Sequence, residues 1–223
     1  MKAMLLAAGE GRRLRPLTET THKALLPIGN TCLIEMNLRK LQQAGIHDII
    51  INVSYLADQL MHYLGDGSRY GVRITYSIEA DGCLGTGGGI HRALPFLGDE
   101  PFWVLSADVW SDFPLPAEKL LDEAMDGYLV MVPNPSYHPE GDFGIALENG
   151  RLNFSDPKYT FANISFLRPQ IFARYTGGIF ELGAVFRDLI RAGCAYGEIY
   201  AGPWFNVGTE VELNAVRQGL GGV

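Results

Sequence analysis

A chain of 223 residues, 47% hydrophobic and 19% charged, carries enough apolar material for a sizeable core and has the wrong composition for intrinsic disorder. Its formal charge of -7 argues against a general nucleic-acid binder, which needs a basic face, but allows an anionic small molecule held by a few placed Arg and Lys side chains. Cys32, Cys83 and Cys194 make neither a disulfide framework nor a zinc spacing. The apolar run Ala3 to Ala8 is shorter than a secretory h-region and no stretch reaches membrane-spanning length, so a cytoplasmic protein with no membrane partner is expected.

Along the chain, Met4-Leu5-Leu6 reads as a short strand running into the turn Gly9-Glu10-Gly11. Leu33 to Gln43 reads as a helix, with Leu33, Leu38 and Leu41 near one face and Gly45 as its stop. Ile49 to Val53, branched on both faces, reads as a buried strand. A helix follows around Leu56 to Leu64, then strands over Val72 to Ser77 and Phe102 to Ser106, the latter followed by Asp108. The cluster Gly85 to Gly89 is expected to form a turn before a helix over Ile90 to Leu97, with a further helix over Ala117 to Met125 and a strand over Tyr128 to Val132.

After Pro133 the pattern changes. Gly144 to Leu147 and Arg151 to Phe154, joined across Asn149-Gly150, read as a hairpin, and Phe161 to Leu167 as a strand. Helices are expected over Gln170 to Tyr175, over Gly183 to Ala192 and from Glu210 onward. The alternation predicts an α/β fold: a Rossmann-like, mostly parallel central sheet flanked by helices, with ligands bound beyond the carboxyl ends of the strands. The Gly9–Gly11 turn and Asp108 both fall at such ends.

The sharpest motif runs from Leu6 through Ala7-Ala8-Gly9-Glu10-Gly11-Arg12-Arg13 to Pro16 and Thr18. Glycines at a strand end let backbone N–H groups approach a triphosphate, and Arg13 adds a guanidinium fork suited to phosphate oxygens. A lone Gly-x-Gly is usually an ordinary tight turn. Here it is neither a Walker pattern nor a dinucleotide fingerprint, because Leu14 stands where the latter needs Gly or Ala.

With Arg13, Pro16, Thr18 and Lys23 added, the chain resembles the sugar-phosphate nucleotidyltransferases, whose signature runs G-x-G-x-R-x-x-P-x-T and then a lysine in a P-K-P-x-x-P stretch. Lys23-Ala24-Leu25-Leu26-Pro27 occupies that stretch, with His22 and Ala24 in place of the usual prolines. Leu84 to Ile90, Ala107 to Trp110, Gly141-Asp142-Phe143 and Trp204 to Thr209 have counterparts in the same order. Within the family the chain is most similar to the short bacterial N-acetylmuramate 1-phosphate uridylyltransferases, which lack the C-terminal β-helix of larger relatives.

The resemblance implies the nucleotide-diphospho-sugar transferase fold in one domain spanning residues 1–223. About residues 1–133 form the nucleotide-binding core, and about 134–223 an acceptor-sugar part with a small lid. It implies attack of a sugar 1-phosphate on the α-phosphorus of a nucleoside triphosphate, UTP above all, with Mg²⁺ as cofactor. Arg13, Lys23 and Asp108 are the implied catalytic residues. Leu6, Ala7, Ala8, Gly9, Gly11, Arg12, Arg13, Lys23, Glu79, Gly82 and Gly87 are expected around the nucleotide, and Asp142, Gly144 and Asn163 around the sugar. Asp108 and Asn206 are the implied metal ligands, Asn206 standing where the family's W-x-D-x-G-T carries aspartate.

Other assignments stay open at this level. Mannose or glucose 1-phosphate with another nucleotide uses the same machinery, and Asn206 also suits a nucleotide-binding regulatory protein with reduced catalysis. Asp156 and Lys158 read as a surface turn. Tyr159, Phe161, Phe166, Phe172 and Phe180 read as core, and the five histidines form no metal cluster. Nothing in the sequence sets an oligomeric state.

Overall fold

The computed structural model describes residues 1–80, 82–116 and 121–220, the side chain of Leu220 excepted. The chain begins with β1 (Lys2–Leu6), a one-turn α1 (Leu17–Thr20) and a small hairpin of β2 (Pro27–Ile28) and β3 (Thr31–Cys32). Then come α2 (Leu33–Gln43), β4 (Asp48–Val53), α3 (Ala57–Leu64), β5 (Arg73–Ile78), α4 (Gly85–Leu97), β6 (Phe102–Ser106) and β7 (Val109–Ser111). The rest is β8 (Gly127–Val132), β9 (Phe143–Ile145), β10 (Leu152–Asn153), β11 (Lys158–Leu167), α5 (Leu182–Ala192), β12 (Ala195–Ile199), β13 (Trp204–Asn206) and α6 (Glu210–Leu220).

Among the described residues the main sheet has nine strands, with β6, β1, β4 and β5 parallel and β11 running antiparallel against β6 and β8. Strand alternation decides the two layers. Ala3 and Leu5 face the cluster that contains Leu38, Leu41, Ile49 and Ile51, while Met4 faces the cluster with Ile50, Ile90, Ala93 and Phe186. Helix α2 covers one face and α4 with α5 the other. With both faces buried, β1, β4 and β6 are apolar through their middles, at Ala3 to Leu5, Ile49 to Ile51 and Phe102 to Leu105, and polar only toward their ends, at Lys2, Asp48, Asn52 and Ser106.

Registers then fix the edge where ligands meet the sheet. Leu6 is aligned with Asn52 on one side and with Ser106 on the other, so three parallel strands end together. A third cluster of Leu14, Leu26, Ile28, Leu33, Val207, Leu213 and Val216 ties the glycine turn and its sequel to α6.

Several sequence expectations are corrected. Leu33 packs in this third cluster, while Leu38 and Leu41 pack under the sheet, because five residues along a helix turn through roughly 140°. Gly85 to Gly89 are not a turn before a helix but the start of α4 itself. Pro169–Phe172 is a single 3₁₀ turn where a helix to Tyr175 was expected. Of the expected helix over Ala117 to Met125, residues 117–120 lie outside the described residues, and 121–125 are turn and coil.

Candidate active site

The turn after β1 shows why its residues recur at these spacings. Gly11 has φ +63°, a left-handed conformation that glycine adopts freely, and a Cβ there would lie 3.0 Å from Thr18 and 3.2 Å from Lys23. Thr18 is fully buried and its hydroxyl donates to the Gly11 carbonyl at 2.9 Å. Glycine and threonine together open the path by which the Lys23 side chain reaches the cleft. There its ammonium pairs with the carboxylate of Asp108, which sits between β6 and β7.

His22 and Ala24, the two departures from proline, are coupled. The buried imidazole of His22 donates from Nε2 to the Ala7 carbonyl at 2.9 Å and accepts at Nδ1 from the Ala24 N–H at 3.2 Å. A neutral ring protonated on Nε2 satisfies both bonds. Burial is the main reason its pKa lies below the usual value, with the Lys23 ammonium adding to it. The His22 N–H donates to the Gln59 side chain. Every N–H that prolines would have removed has therefore found a partner, and Lys23 is clamped between them.

Behind the strand ends runs a second relay. Asn52 accepts from the Ala7 N–H at 2.9 Å and donates to Glu79 Oε1 at 2.7 Å, while Glu79 Oε2 accepts from the Leu84 N–H at 2.7 Å. Glu79 is buried, and both its oxygens serve this loop; it does not line the cleft, although it was expected around the nucleotide. Gly82 has φ +107° with open space where a Cβ would stand.

Two clefts meet along these ends. The first is lined by Leu6, Ala7, Ala8, Gly9, His22, Lys23, Asp108 and, across from them, Cys83, Gly85 and Thr86. The second is lined by Tyr137, His138, Asp142, Phe161, Asn163, Arg187 and Asn206, among others. Leu6, Thr86, Ser106 and Glu181 line both.

Of the residues expected around a nucleotide, Leu6, Ala7, Ala8, Gly9 and Lys23 line the first cleft. Gly87 does not: a Cβ there would collide with the Phe180 ring, so this glycine admits a neighbouring segment rather than a ligand. Gly88 and Gly89 are equally tight against Gly178 and against Asn52 with Glu79. Arg12 forks onto Glu10 at 2.7 and 2.9 Å. Arg13 lies against Gly208 beside Glu212, and neither arginine lines a cleft.

On the other side, Asp142 and Asn163 line the second cleft, and Gly144 does not: a Cβ there would strike Ser155 and Asn153, so it serves the packing of β9 on β10. Phe161, expected in the core, lines this cleft edge-to-face with Phe186. Asn163 has φ +58° within an irregularity of the β11–β8 pairing, a conformation asparagine tolerates better than other side chains do. The residues that sequence reasoning missed are His22, Thr86, Tyr137, His138, Glu181 and Arg187. Only His22 left a signal, as a departure from proline.

The donor set suits a magnesium ion. Asn206 pairs with Val109 across β13 and β7, and the Val207 N–H donates to the Asp108 carbonyl at 2.9 Å, so Asn206 and Asp108 are neighbours across two strands. They offer one carboxylate and one neutral carbonyl oxygen. No cluster of three His, Cys, Asp or Glu side chains fit for a metal exists among the described residues. Mg²⁺ matches such a sparse oxygen set, since it keeps several waters and takes substrate phosphates as ligands.

A mostly parallel sheet whose aligned strand ends carry a glycine turn, a lysine and an aspartate, opening on two joined clefts, is the architecture of a nucleotidyltransferase. The fold matches that of a candidate glucose-1-phosphate thymidylyltransferase from Bacillus anthracis with a TM-score of 0.84, covering 98% of this chain and 94% of the other at 23% identity. The chain belongs to the nucleotidyl transferase family, which it matches over residues 2–153. It is 40% identical to the N-acetylmuramate alpha-1-phosphate uridylyltransferase of Neisseria meningitidis serogroup B, with 97% of each chain covered. The enzyme of the same description from Caulobacter vibrioides is 31% identical, with 92% of this chain and 91% of the other covered.

Proposed function

We propose that this chain is a sugar-1-phosphate nucleotidyltransferase that joins N-acetylmuramate 1-phosphate to UTP, releasing pyrophosphate and the nucleotide-sugar. The observation that carries the reading is the Lys23–Asp108 ion pair at the strand ends, in the first cleft, which shares Leu6 and Ser106 with the second. The choice of acceptor and base is supported by similarity along almost the whole chain to the two uridylyltransferases.

In this reading the first cleft takes the nucleotide and the second the sugar, with residues of about 1–133 and 134–223 as the corresponding parts of one domain. Backbone at Ala7 to Gly9 meets the phosphates. Lys23 bridges the α-phosphate and the incoming sugar phosphate, offsetting the repulsion between two anions. Asp108 and Asn206 hold Mg²⁺, which when bound neutralises phosphate charge as a Lewis acid. Asp142 and Asn163 face the sugar. No covalent intermediate is needed, so catalysis consists of alignment and charge neutralisation. The setting is cytoplasmic, where nucleoside triphosphates are made.

Pyrophosphate release is the test, run with UTP, GTP or dTTP against N-acetylmuramate, glucose and mannose 1-phosphates. Release that requires Mg²⁺, UTP and N-acetylmuramate 1-phosphate together is expected. A higher rate with a hexose 1-phosphate moves the assignment to that acceptor. No release from folded protein that binds UTP, followed by turnover once Asn206→Asp is introduced, identifies a nucleotide-binding protein with reduced catalysis.

A further inference from the structure

The second cleft is lined by four side chains of ionic chemistry: His138, Asp142, Glu181 and Arg187. Three are already engaged within the protein. Asp142 Oδ1 pairs with His138 Nε2 at 3.2 Å, and its Oδ2 accepts from the Phe161 N–H at 2.8 Å. Glu181 accepts from the Thr86 hydroxyl at 2.8 Å. Arg187 has no hydrogen-bond or ion-pair partner among the described residues, although Arg191 on the same helix and Arg174 before it both pair with Asp188, at 3.1 and 3.7 Å. Neighbouring positions on a helix do not share a face, so Asp188 is turned away from the cleft that Arg187 lines. The Arg187 guanidinium passes over Gly183, 3.5 Å from where a Cβ would stand.

Lys23 lines only the first cleft and Arg187 only the second. An acceptor whose 1-phosphate is held at Lys23 therefore brings some other group to Arg187. We infer that Arg187 is the subsite for a carboxylate on the sugar ring, gripped through the guanidinium fork, and that it selects acceptors carrying a second anion. The inference rests on the proposed function. N-acetylmuramate 1-phosphate has such a group, the carboxylate of its lactyl ether, and N-acetylglucosamine 1-phosphate is the same ring without it. A planar fork matches a carboxylate in two parallel hydrogen bonds, which an ammonium cannot do.

The test is the ratio of kcat/KM for these two acceptors with UTP and Mg²⁺ in the wild type, Arg187→Ala and Arg187→Lys. Losing a charge-assisted hydrogen bond to one acceptor alone lowers that ratio by about tenfold to a hundredfold in Arg187→Ala. Arg187→Lys falls between, keeping the charge without the fork. A general disturbance of the cleft slows both acceptors alike and leaves the ratio unchanged, and an unchanged ratio overturns the inference while the transferase reading stands. Calorimetric binding of N-acetylmuramate 1-phosphate in the presence of α,β-methylene-UTP separates the two ideas. Binding that weakens in Arg187→Ala, from protein that never releases pyrophosphate, supports the subsite and sinks the transferase reading. Absence of both binding and release overturns both.

Discussion

The two clefts are built by different means. The first is floored by main chain where β1, β4 and β6 end in register, and its side chains are interlocked: Lys23 on Asp108, His22 on Ala7 and Ala24, Asn52 on Ala7 and Glu79. The second is walled by an irregular strand, a loop and one side of α5, and it keeps a cation, Arg187, without a partner among the described residues. Chemistry shared by a family is best placed on backbone and closed networks, where a substitution disturbs several bonds at once. Substrate choice is best placed on side chains that nothing else depends on.

That contrast can be broken by substitution. Lys23→Ala is the severest change in the first cleft: kcat falls on the order of a hundredfold or more, as when an electrostatic stabiliser of the transition state is removed. Circular dichroism is expected to stay native. A rate within about threefold of wild type from folded protein removes Lys23 from the chemistry.

Gly88→Ala places a Cβ against the Gly178 carbonyl, which is backbone and cannot swing aside. The expected loss is about 2 kcal/mol or more in urea denaturation. An unaltered midpoint means that the segment beneath α4 is held less rigidly than the packing indicates.

His22→Ala orphans the Ala24 N–H and the Ala7 carbonyl, at a cost of about 1–3 kcal/mol. His22→Pro combined with Ala24→Pro, which removes the stranded donors, is expected to cost less than His22→Ala alone. A pH series sharpens this. Burial holds the folded His22 pKa below its usual 6.5, so as pH falls through that value the unfolded chain takes up a proton first and the folded state loses stability. The stability gap between wild type and His22→Ala should therefore narrow below pH 6.5. A gap that is flat with pH contradicts a neutral imidazole clamp.

The smallest change lies in the second cleft. Asn163→Gly keeps the left-handed backbone and shifts stability by about 0.5 kcal/mol or less, while the acceptor KM moves because a cleft-lining side chain has gone. A large stability change with an unmoved KM assigns Asn163 to the strand rather than to the cleft.

Much of the first cleft was legible in the sequence. Ile49 to Val53 and Phe102 to Ser106 are apolar on both faces, which marks central parallel strands, and strand ends are where ligands bind. Gly11 and Thr18 were visible as a spacing, though not as the passage they open for Lys23. What stayed hidden depended on distant partners. Nothing local in Gly87-Gly88-Gly89 says that Phe180 and Gly178 press against the first two and Asn52 with Glu79 against the third, so the cluster read as a turn before a helix, with Gly87 at the nucleotide. Glu79 read as a ligand contact because its two internal partners, Asn52 and Leu84, are set by the fold. Arg187 belongs to no motif, and what sets it apart from Arg191 on α5 is that it has no partner among the described residues.

The segment 178–181 has one more consequence. The N–H groups of Gly87 and Gly88 both donate to the Phe180 carbonyl, at 3.0 and 3.1 Å, and the Leu182 N–H donates back to Thr86 at 2.8 Å. Through these bonds the start of α4, which borders the first cleft, is stitched to the start of α5, which borders the second. The two halves are therefore not interchangeable parts. A chimera that imports the second cleft of a relative must bring that relative's stretch equivalent to residues 178–182 together with its matching glycines, or the seam will not close.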